Sequence, residues 1–468
     1  MCRAAGGVTM SLPEAELTIE IDRAGVETVS AGKAQEREQF VISAGGLRVW
    51  GWRSALSLTD QGLTSGAGFL VNLLLARWLP QEIYGAFAVA FASYLFISGF
   101  HNVLILEPMS VIGPSRHAEN LLQYFRAQLT IHVLLTSALA IGALLAGALI
   151  WWLRPTGPLA GAVIGSGIAL PFLLLLWLVR RMCYAVQRPA IALAGSGFYL
   201  VFVAAGLMML TLMGRLGPFA AFLLMALGST FAAGILLWRL GLLTRTGLRG
   251  QLVPWRSAVR ENWVYGRWLV GSTVLYSISS QTQVFLVAGV LGLGAAGILR
   301  AMQIPSLLMT QVVFTAGLLV LPSFSYDFGK GSFRRLRHKA VLVSAGLLAG
   351  VLAFAFVLAV FAGPTERLLF GGRYAAYAHL MPILALIPAA IGFSTGYAMA
   401  IRASQRTHFD LVANAIGAPL GLISAIFFTR WWGIAGAAAS MAVGFSAYAI
   451  SVCRIHYIAP QITKDEVC

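Results

Sequence analysis

A series of long apolar runs is the strongest constraint on how this chain can fold. A bilayer core is about 30 Å thick, so a spanning helix needs roughly 20 apolar residues. Only 11% of the 468 residues are charged and 59% are hydrophobic, whereas soluble domains carry about 25% charged residues. The sequence therefore predicts an all-α polytopic membrane protein with twelve transmembrane helices. The predicted spans lie near residues 56–79, 83–106, 128–153, 158–180, 190–213, 217–240, 268–291, 295–321, 340–362, 378–401, 409–428 and 433–456.

The distribution of Lys and Arg predicts the orientation of these spans. With the N-terminus placed inside, the inner segments hold 26 of the 33 basic residues and the outer loops hold 6, while Arg300 lies within a span. Cytoplasmic loops of membrane proteins are enriched in basic residues, so both termini are expected in the cytoplasm. The net charge of +16 then belongs to these loops, and we expect no nucleic-acid partner.

The chain divides into two similar halves. We expect a disordered acidic cytoplasmic tail at 1–50, a six-helix lobe at 51–242, a basic linker at 243–262, a second six-helix lobe at 263–458 and a short cytoplasmic tail at 459–468. The two lobes share short matches in the same order, at shifts of 212 to 218 residues; one pairs Gly85 with Gly297, and another pairs Gln187-Arg188 with Gln405-Arg406. Six spans per half predict parallel repeats around an axis along the membrane normal, and two such lobes can rock in alternating access.

The sequence offers little for catalysis. The four cysteines form no metal-binding or redox spacing, and there is no Gly-Lys-Ser/Thr phosphate loop. We therefore expect a protein that is not an enzyme, with no catalytic residue, no cofactor and no bound metal. A membrane glycosyltransferase or polymerase is a weaker alternative, because the longest outer loop, 363–377, holds only Glu366, Arg367 and Arg373 as charges.

Polar residues on the apolar spans mark candidates for a wet central cleft. Polar side chains in hydrocarbon are costly and usually face the bundle interior or a cavity. In the first, second, seventh and eighth spans several of them fall on helical stripes; hydrogen bonding between helices is the alternative role. The predicted cleft-lining set is Arg300, Gln303, Gln311, Gln281, Gln283, Asn72, Ser65, Tyr94 and Asn102.

Arg300 is the sharpest of these signals. It lies roughly 8 Å into its span at 1.5 Å per residue. Facing lipid there costs about 2–3 kcal/mol or more, whereas a wet cleft removes most of that cost and offers planar donors to a phosphate. The alternative is that the side chain extends to the outer interface, as long cationic side chains often do.

The positions of the carboxylates separate two kinds of cargo. Asp60, Glu107 and Asp410 lie near predicted cytoplasmic helix ends, and no acid lies near the middle of a span. A pump for cationic drugs needs negative charge in its cavity, so an anionic cargo is favoured. Asp60 and Glu107 are candidates for a cytoplasmic gate with Arg53, Arg116 or Arg126; the alternative is that they are ordinary interfacial acids.

Several motifs resemble a known family. The first two spans contain Asp60-Gln61-Gly62, Leu75-Ala76-Arg77-Trp78-Leu79 and Tyr84-Gly85-Ala86-Phe87, followed by Asn102 to Ser110. Together with the basic turns Tyr184 to Pro189 and Arg402 to Arg406, they resemble the polysaccharide repeat-unit flippases of the MOP superfamily, which serve O-antigen, lipopolysaccharide and exopolysaccharide synthesis.

The resemblance implies a MATE-like fold in the bacterial inner membrane and a lipid-linked oligosaccharide as cargo. A polyprenyl-diphosphate-linked repeat unit would be turned from the cytoplasmic to the periplasmic leaflet among membrane lipids. A polysaccharide polymerase and export proteins would be partners. The coupling ion is left open between a proton and sodium. The alternative function is an ion-coupled multidrug or metabolite antiporter of the same superfamily.

Overall fold

The computed structural model describes residues 44–243, 253–404 and 408–458, and the regular elements in these ranges are helices. Met1–Ser54 and Ala55–Cys468 form separate compact units, and the bundle discussed below is the second. The α-helices are α1 (Ala44–Trp78), α2 (Gln81–His101), α3 (Glu107–Arg116), α4 (Leu121–Leu153), α5 (Pro158–Ala185), α6 (Pro189–Leu212), α7 (Pro218–Arg239), α8 (Trp255–Leu291), α9 (Leu293–Gly329), α10 (Phe333–Val360), α11 (Ala362–Phe370), α12 (Leu380–Ala403) and α13 (His408–Ile458).

The predicted twelve spans agree with this arrangement. Ten helices of the described part are long and apolar enough to cross a membrane. One of them is α2 joined to α3 through a π-helical turn, Asn102–Leu106. Another, α13, contains two predicted spans that meet at Gly433, where a φ of 59° and a ψ of −135° bend the helix. The first predicted span is the one that falls outside the ten, and it lies within α1, which carries Asp60, Gln61 and Asn72.

The helices extend beyond the predicted boundaries. Helix α8 begins at Trp255, inside the segment predicted as linker. Helices α9 and α10 leave only 330–332 between them, whereas the predicted spans are separated by residues 322–339. Hydropathy detects the part of a helix that lies in hydrocarbon, so it misses polar helical ends. The predicted tails lie outside the described residues, apart from the start of α1, and so do Gln405 and Arg406.

Each half is built around one buried helix. In the N-terminal half α5 packs against α2, α4 and α7, and in the C-terminal half α12 packs against α9, α10 and α13. The two central helices correspond in detail, because each contains an internal proline, Pro171 or Pro388, and carries arginine toward its C-terminal end. The fold therefore consists of two pseudo-symmetric lobes.

The lobes meet where α2 crosses α9. A Cβ atom on Gly85 would overlap the carbonyl oxygen of Leu293, and a Cβ atom on Gly297 would overlap that of Gln81. Gly85 and Gln81 become Gly297 and Leu293 under the 212-residue shift found in the sequence. A contact in which each partner repeats the other's role is the mark of a two-fold axis. The pseudo-symmetry axis therefore passes through this crossing.

A network of hydrogen bonds closes one end of the bundle, which the predicted orientation makes the outer end. We call this network the outer seal. Arg77 Nη1 donates to the Leu368 carbonyl at 2.8 Å, Arg373 Nη1 to the Leu79 carbonyl at 3.0 Å, and the Tyr374 hydroxyl to the Ala76 carbonyl at 3.1 Å. Burial raises the pKa of Tyr374, which keeps its hydroxyl a donor. The segment from α11 to α12 thus joins the C-terminal half to the end of α1.

Candidate substrate cavity

A cavity of about 290 Å³ lies between α1, α2, α5, α6 and α7 of the N-terminal half and α9 of the C-terminal half. Its lining on α1 runs from Gln61 to Asn72, which is about 16 Å of helix and half the thickness of a bilayer core. The polar lining residues are Gln61, Thr64, Ser65, Asn72, Tyr94, Trp177, Ser196, Tyr199, Ser229, Arg300 and Gln311.

Exposure changes along the cavity. Asn72 and Arg300, at the end nearer the outer seal, are 4% and 5% exposed. Gln61 and Gln311, which lie further along α1 and α9 toward the opposite end, are both exposed. The cavity is therefore closed toward the outer seal and open toward the end that the sequence predicts to be cytoplasmic.

Arg300 carries the charge of this cavity. Its Nη1 donates to Gln303 Oε1 at 3.3 Å, and its guanidinium carbon lies 5.9 Å from the centre of the Phe91 ring. Gln303 is held in turn by Met441, since its Nε2 lies 2.9 Å from the Met441 sulfur. Arg300 makes none of the ion pairs found in the described residues, and its buried Nε has no hydrogen-bond partner there. A guanidinium in this position has unused donors and no counter-charge.

The lining contains no carboxylate. No Asp or Glu is among the residues that the structure places around the cavity. Asp60 is adjacent in sequence to Gln61 but is fully buried behind the wall, where Arg180 Nη2 lies 2.6 Å from its Oδ2 and the Tyr184 hydroxyl donates to the same oxygen. The net charge of the lining is therefore positive.

The predicted cleft residues divide into three groups. Ser65, Asn72, Tyr94, Arg300 and Gln311 line the cavity together. Gln303 lies behind Arg300 and orients it. The remaining three are outside the lining, and the role of all nine in binding stays a prediction. Of those three, Gln281 and Gln283 are on α8, and Asn102 is half-buried at the start of the π-helical turn.

Sequence reasoning missed the wall formed by α5, α6 and α7. Trp177, Ser196, Tyr199 and Ser229 lie there, and Thr64 on α1 donates to Ser196 Oγ at 3.2 Å. The signal available in the sequence is the run from Gly195 to Gly197, whose small residues are typical of close helix packing. Gly195 does pack tightly against Leu236, while Ser196 beside it faces the cavity.

The proposed gate acids have partners that differ from those expected. Asp60 pairs with Arg180, whereas Arg126 donates to the Leu242 carbonyl instead. Glu107 interacts electrostatically with Arg181 and with Arg402, which belongs to the opposite half. Asp60 has Arg180 as its partner rather than Arg116 or Arg126, and the side chain of Arg53 lies outside the described residues. This pairing depends on how α1 lies against α5, which spacing within one helix does not reveal. The gating role of both acids stays a prediction.

We expect Asp60→Asn to lower the stability of the chain strongly. Removing one partner of a buried ion pair leaves an uncompensated charge and costs about 3–5 kcal/mol. This loss is measured by thermal unfolding in detergent, followed by circular dichroism or by the fluorescence of a dye that does not react with thiols. The double variant Asp60→Asn/Arg180→Gln is the matched control, and it should recover much of the loss. Equal instability of the single and double variants would contradict a paired Asp60.

Comparison of structures finds proteins with the same fold, whereas comparison of sequences finds no relative. No protein-family model matches the chain, and no curated protein sequence does. An inward-facing multidrug resistance MATE family transporter of the MOP superfamily superposes with a TM-score of 0.71 at 12% identity, covering 86% of this chain and 98% of that one. The lipid II flippase MurJ in an inward closed conformation superposes with a TM-score of 0.69 at 12% identity, covering 87% of each chain.

A third structure, the Vibrio cholerae MATE transporter VcmN in its bent form, has a TM-score of 0.56 at 15% identity and covers 87% of this chain and 97% of its own. At such identities the likeness establishes the fold and not the cargo. The chain is a multi-pass helical protein with the fold shared by MATE transporters and the lipid II flippase MurJ.

Proposed function

We propose that this protein is a flippase that moves a polyprenyl-diphosphate-linked oligosaccharide from the cytoplasmic to the periplasmic leaflet of a bacterial inner membrane. The observation that carries the proposal is the buried guanidinium of Arg300, which lines the cavity with no carboxylate partner. A diphosphate would supply the missing counter-charge, and planar guanidinium donors match phosphate oxygens well.

The rest of the lining suits a sugar attached to that diphosphate. Phe91, Tyr94, Trp177 and Tyr199 present aromatic rings from α2, α5 and α6. Helix α1 adds hydroxyl and amide groups to the lining. A cavity of about 290 Å³ is near the lower limit for small-molecule sites, about 300 Å³. It therefore accommodates the diphosphate and the first sugar, while later sugars occupy the exposed end near Gln61 and Gln311. The polyprenyl tail stays in lipid.

The mechanism is a rocking motion of the two halves around their crossing. With the outer seal formed, the cavity accepts cargo from the cytoplasmic side. Breaking the seal at Arg77 and Tyr374 and closing the opposite end would present the same cargo to the periplasm. Arg300 lies at the deep end, next to the seal, so the diphosphate would reach the far side first. Proton binding, sodium binding and removal of the product all remain candidates for the driving force.

The second candidate is an ion-coupled antiporter for drugs or metabolites, and the MATE transporters among the structural neighbours favour it. A cationic drug would enter a cavity in which Arg300 is the one charged residue of the described lining. Asp60, the residue before Gln61 of the lining, is paired with Arg180. This electrostatic mismatch favours the flippase.

A deletion strain tests the proposed function. Loss of the gene should abolish surface polysaccharide and leave its lipid-linked repeat unit on the cytoplasmic leaflet, where it is protected from periplasmic glycosidases. Expression of the unaltered chain should restore delivery of the repeat unit to the periplasm, where a polymerase and export proteins would use it. Unchanged polysaccharide combined with increased sensitivity to cationic drugs would contradict the proposal and support the antiporter.

A further inference from the structure

Two histidines that the cavity does not use form a buried pair between α2 and α4. His101 Nε2 and His132 Nδ1 lie 2.9 Å apart, and the rings meet nearly edge to face at 79°. Both side chains are almost completely buried, at 0% and 2% exposure. A ring nitrogen of His132 also bonds the backbone carbonyl of Pro171 on α5. The pair therefore joins three helices of the N-terminal half.

Counting hydrogens shows that this pair has one free basic nitrogen. Two neutral imidazoles share two N–H groups among four ring nitrogens. One N–H lies between the rings, and one faces the Pro171 carbonyl, which can only accept. The fourth nitrogen, His101 Nδ1, is then an unprotonated lone pair, and it is buried with no hydrogen-bond partner in the described residues. A proton is the ligand that such an atom can take.

Charged groups on the neighbouring helices are engaged elsewhere. His132 is the titratable group that acts on His101. The helices that pack around the pair are α2, α3, α4, α5 and α8. Among the charged groups on these helices, Glu107 interacts electrostatically with Arg181 and Arg402. Arg126 donates to the Leu242 carbonyl, Arg180 pairs with Asp60, and Glu261 pairs with His117. A proton on the pair would therefore meet no counter-ion in this conformation.

The pair is placed where the two halves touch. One turn from His132, Gln128 exchanges two amide hydrogen bonds, of 3.1 and 2.9 Å, with Asn262 on α8. On either side of His101, Gly99 lies against Thr273 and the Val103 carbonyl lies against Gly266, both on α8. The π-helical turn begins at the residue after His101, and such turns are frequent at functional sites. A change in the pair is thus transmitted directly to the first helix of the C-terminal half.

We propose that the His101–His132 pair is a proton-binding site that sets the balance between two packings of the N-terminal half against α8. In the conformation described here the pair is buried and neutral, since a charge without a counter-ion is costly in an apolar interior. The second packing admits water to His101 Nδ1 and binds the proton. A ligand shifts a conformational equilibrium by its difference in affinity for the two states, so proton binding favours that second packing. This inference does not depend on the identity of the cargo.

Distance measurements across the outer end test the proposal without any cargo. The full chain, with its four cysteines replaced by alanine, would carry spin labels at Arg154→Cys and Arg430→Cys, two exposed positions in opposite halves. In the chain with the unaltered pair, the distribution of distances between the two spin labels should change between about pH 8 and about pH 5, where histidine titrates. His101→Gln and His132→Gln should each remove most of this shift, while His338→Gln, at an exposed histidine on α10, should retain it.

A pH-dependent shift that persists in both pair variants would overturn the proposal, as would a distribution that does not change with pH in the unaltered chain. Nitrogen-15 NMR of histidine-labelled chain covers the case in which a variant does not fold. The pair should give one shared N–H···N signal at high pH that is lost on acidification. Rings that remain neutral to about pH 5 in lipid bilayers would also overturn it.

Discussion

Arg300→Glu should reduce translocation of the diphosphate-linked oligosaccharide about 100-fold or more. A hydrogen bond to a charged group contributes about 1.5–3 kcal/mol, and each 1.4 kcal/mol is about tenfold in affinity. Reversal of the charge removes the hydrogen-bond donors. It also makes the new carboxylate repel the diphosphate, in a cavity whose described lining has no other formal charge. Reconstituted proteoliposomes, with cargo on one leaflet and a glycan-cleaving enzyme outside, measure the rate.

Graded variants separate the charge from the shape of the guanidinium. Arg300→Lys keeps the charge but loses the planar pair of donors, so it should retain more activity than Arg300→Gln. Arg430→Glu, at an exposed position outside the cavity, makes the same change of charge and should leave the rate unaltered. Translocation by Arg300→Glu at the unaltered rate, with equal protein in the membrane, would remove Arg300 from the mechanism.

Gly297→Ala should open the outer seal. Its new Cβ atom would overlap the Gln81 carbonyl, and this backbone contact cannot be relieved by a side-chain rotation. Overpacking costs typically 1–3 kcal/mol, and moving α9 away from α2 relieves it. A Ser65→Cys reporter in a cysteine-free chain should then react with a membrane-impermeant maleimide added from outside, at several times the rate found without the glycine substitution.

Gly294→Ala is the matched control for this experiment. Gly294 precedes Gly297 by three residues on the same helix, and nothing lies within 4 Å of the position that its Cβ would occupy. The reporter should therefore remain protected in that variant. Equal labelling of the two variants would show that the crossing at Gly85 and Gly297 does not hold the seal.

The features that each helix determines by itself were predicted well from the sequence. Hydropathy located the spans because each helix must satisfy the bilayer alone. The stripe on α1 and the position of Arg300 followed from helical periodicity and from the cost of a charge in hydrocarbon. The shift that matches Gly85 with Gly297 indicated the two-fold repeat, and these two glycines lie against each other at the crossing.

Features that depend on two helices at once could not be predicted in this way. The pairing of Asp60 with Arg180 joins α1 to α5, and the outer seal joins α1 to the segment after α10. Tyr199 and Trp177 face the cavity although aromatic residues in apolar spans resemble ordinary packing residues. Helix α11 is only nine residues long, too short for a hydropathy signal, and its hydrogen bonds with Arg77 give it a place in the seal.

The central claim is that the cavity selects a negatively charged head group. The most direct test measures translocation of two synthetic lipids in the same proteoliposomes, with identical glycan and polyprenyl chain but with either a diphosphate or an uncharged linkage. The account predicts rapid movement of the diphosphate lipid, inhibition of that movement by inorganic pyrophosphate, and little movement of the uncharged lipid. Equal rates for the two lipids, or faster export of a cationic dye than of either, would contradict it.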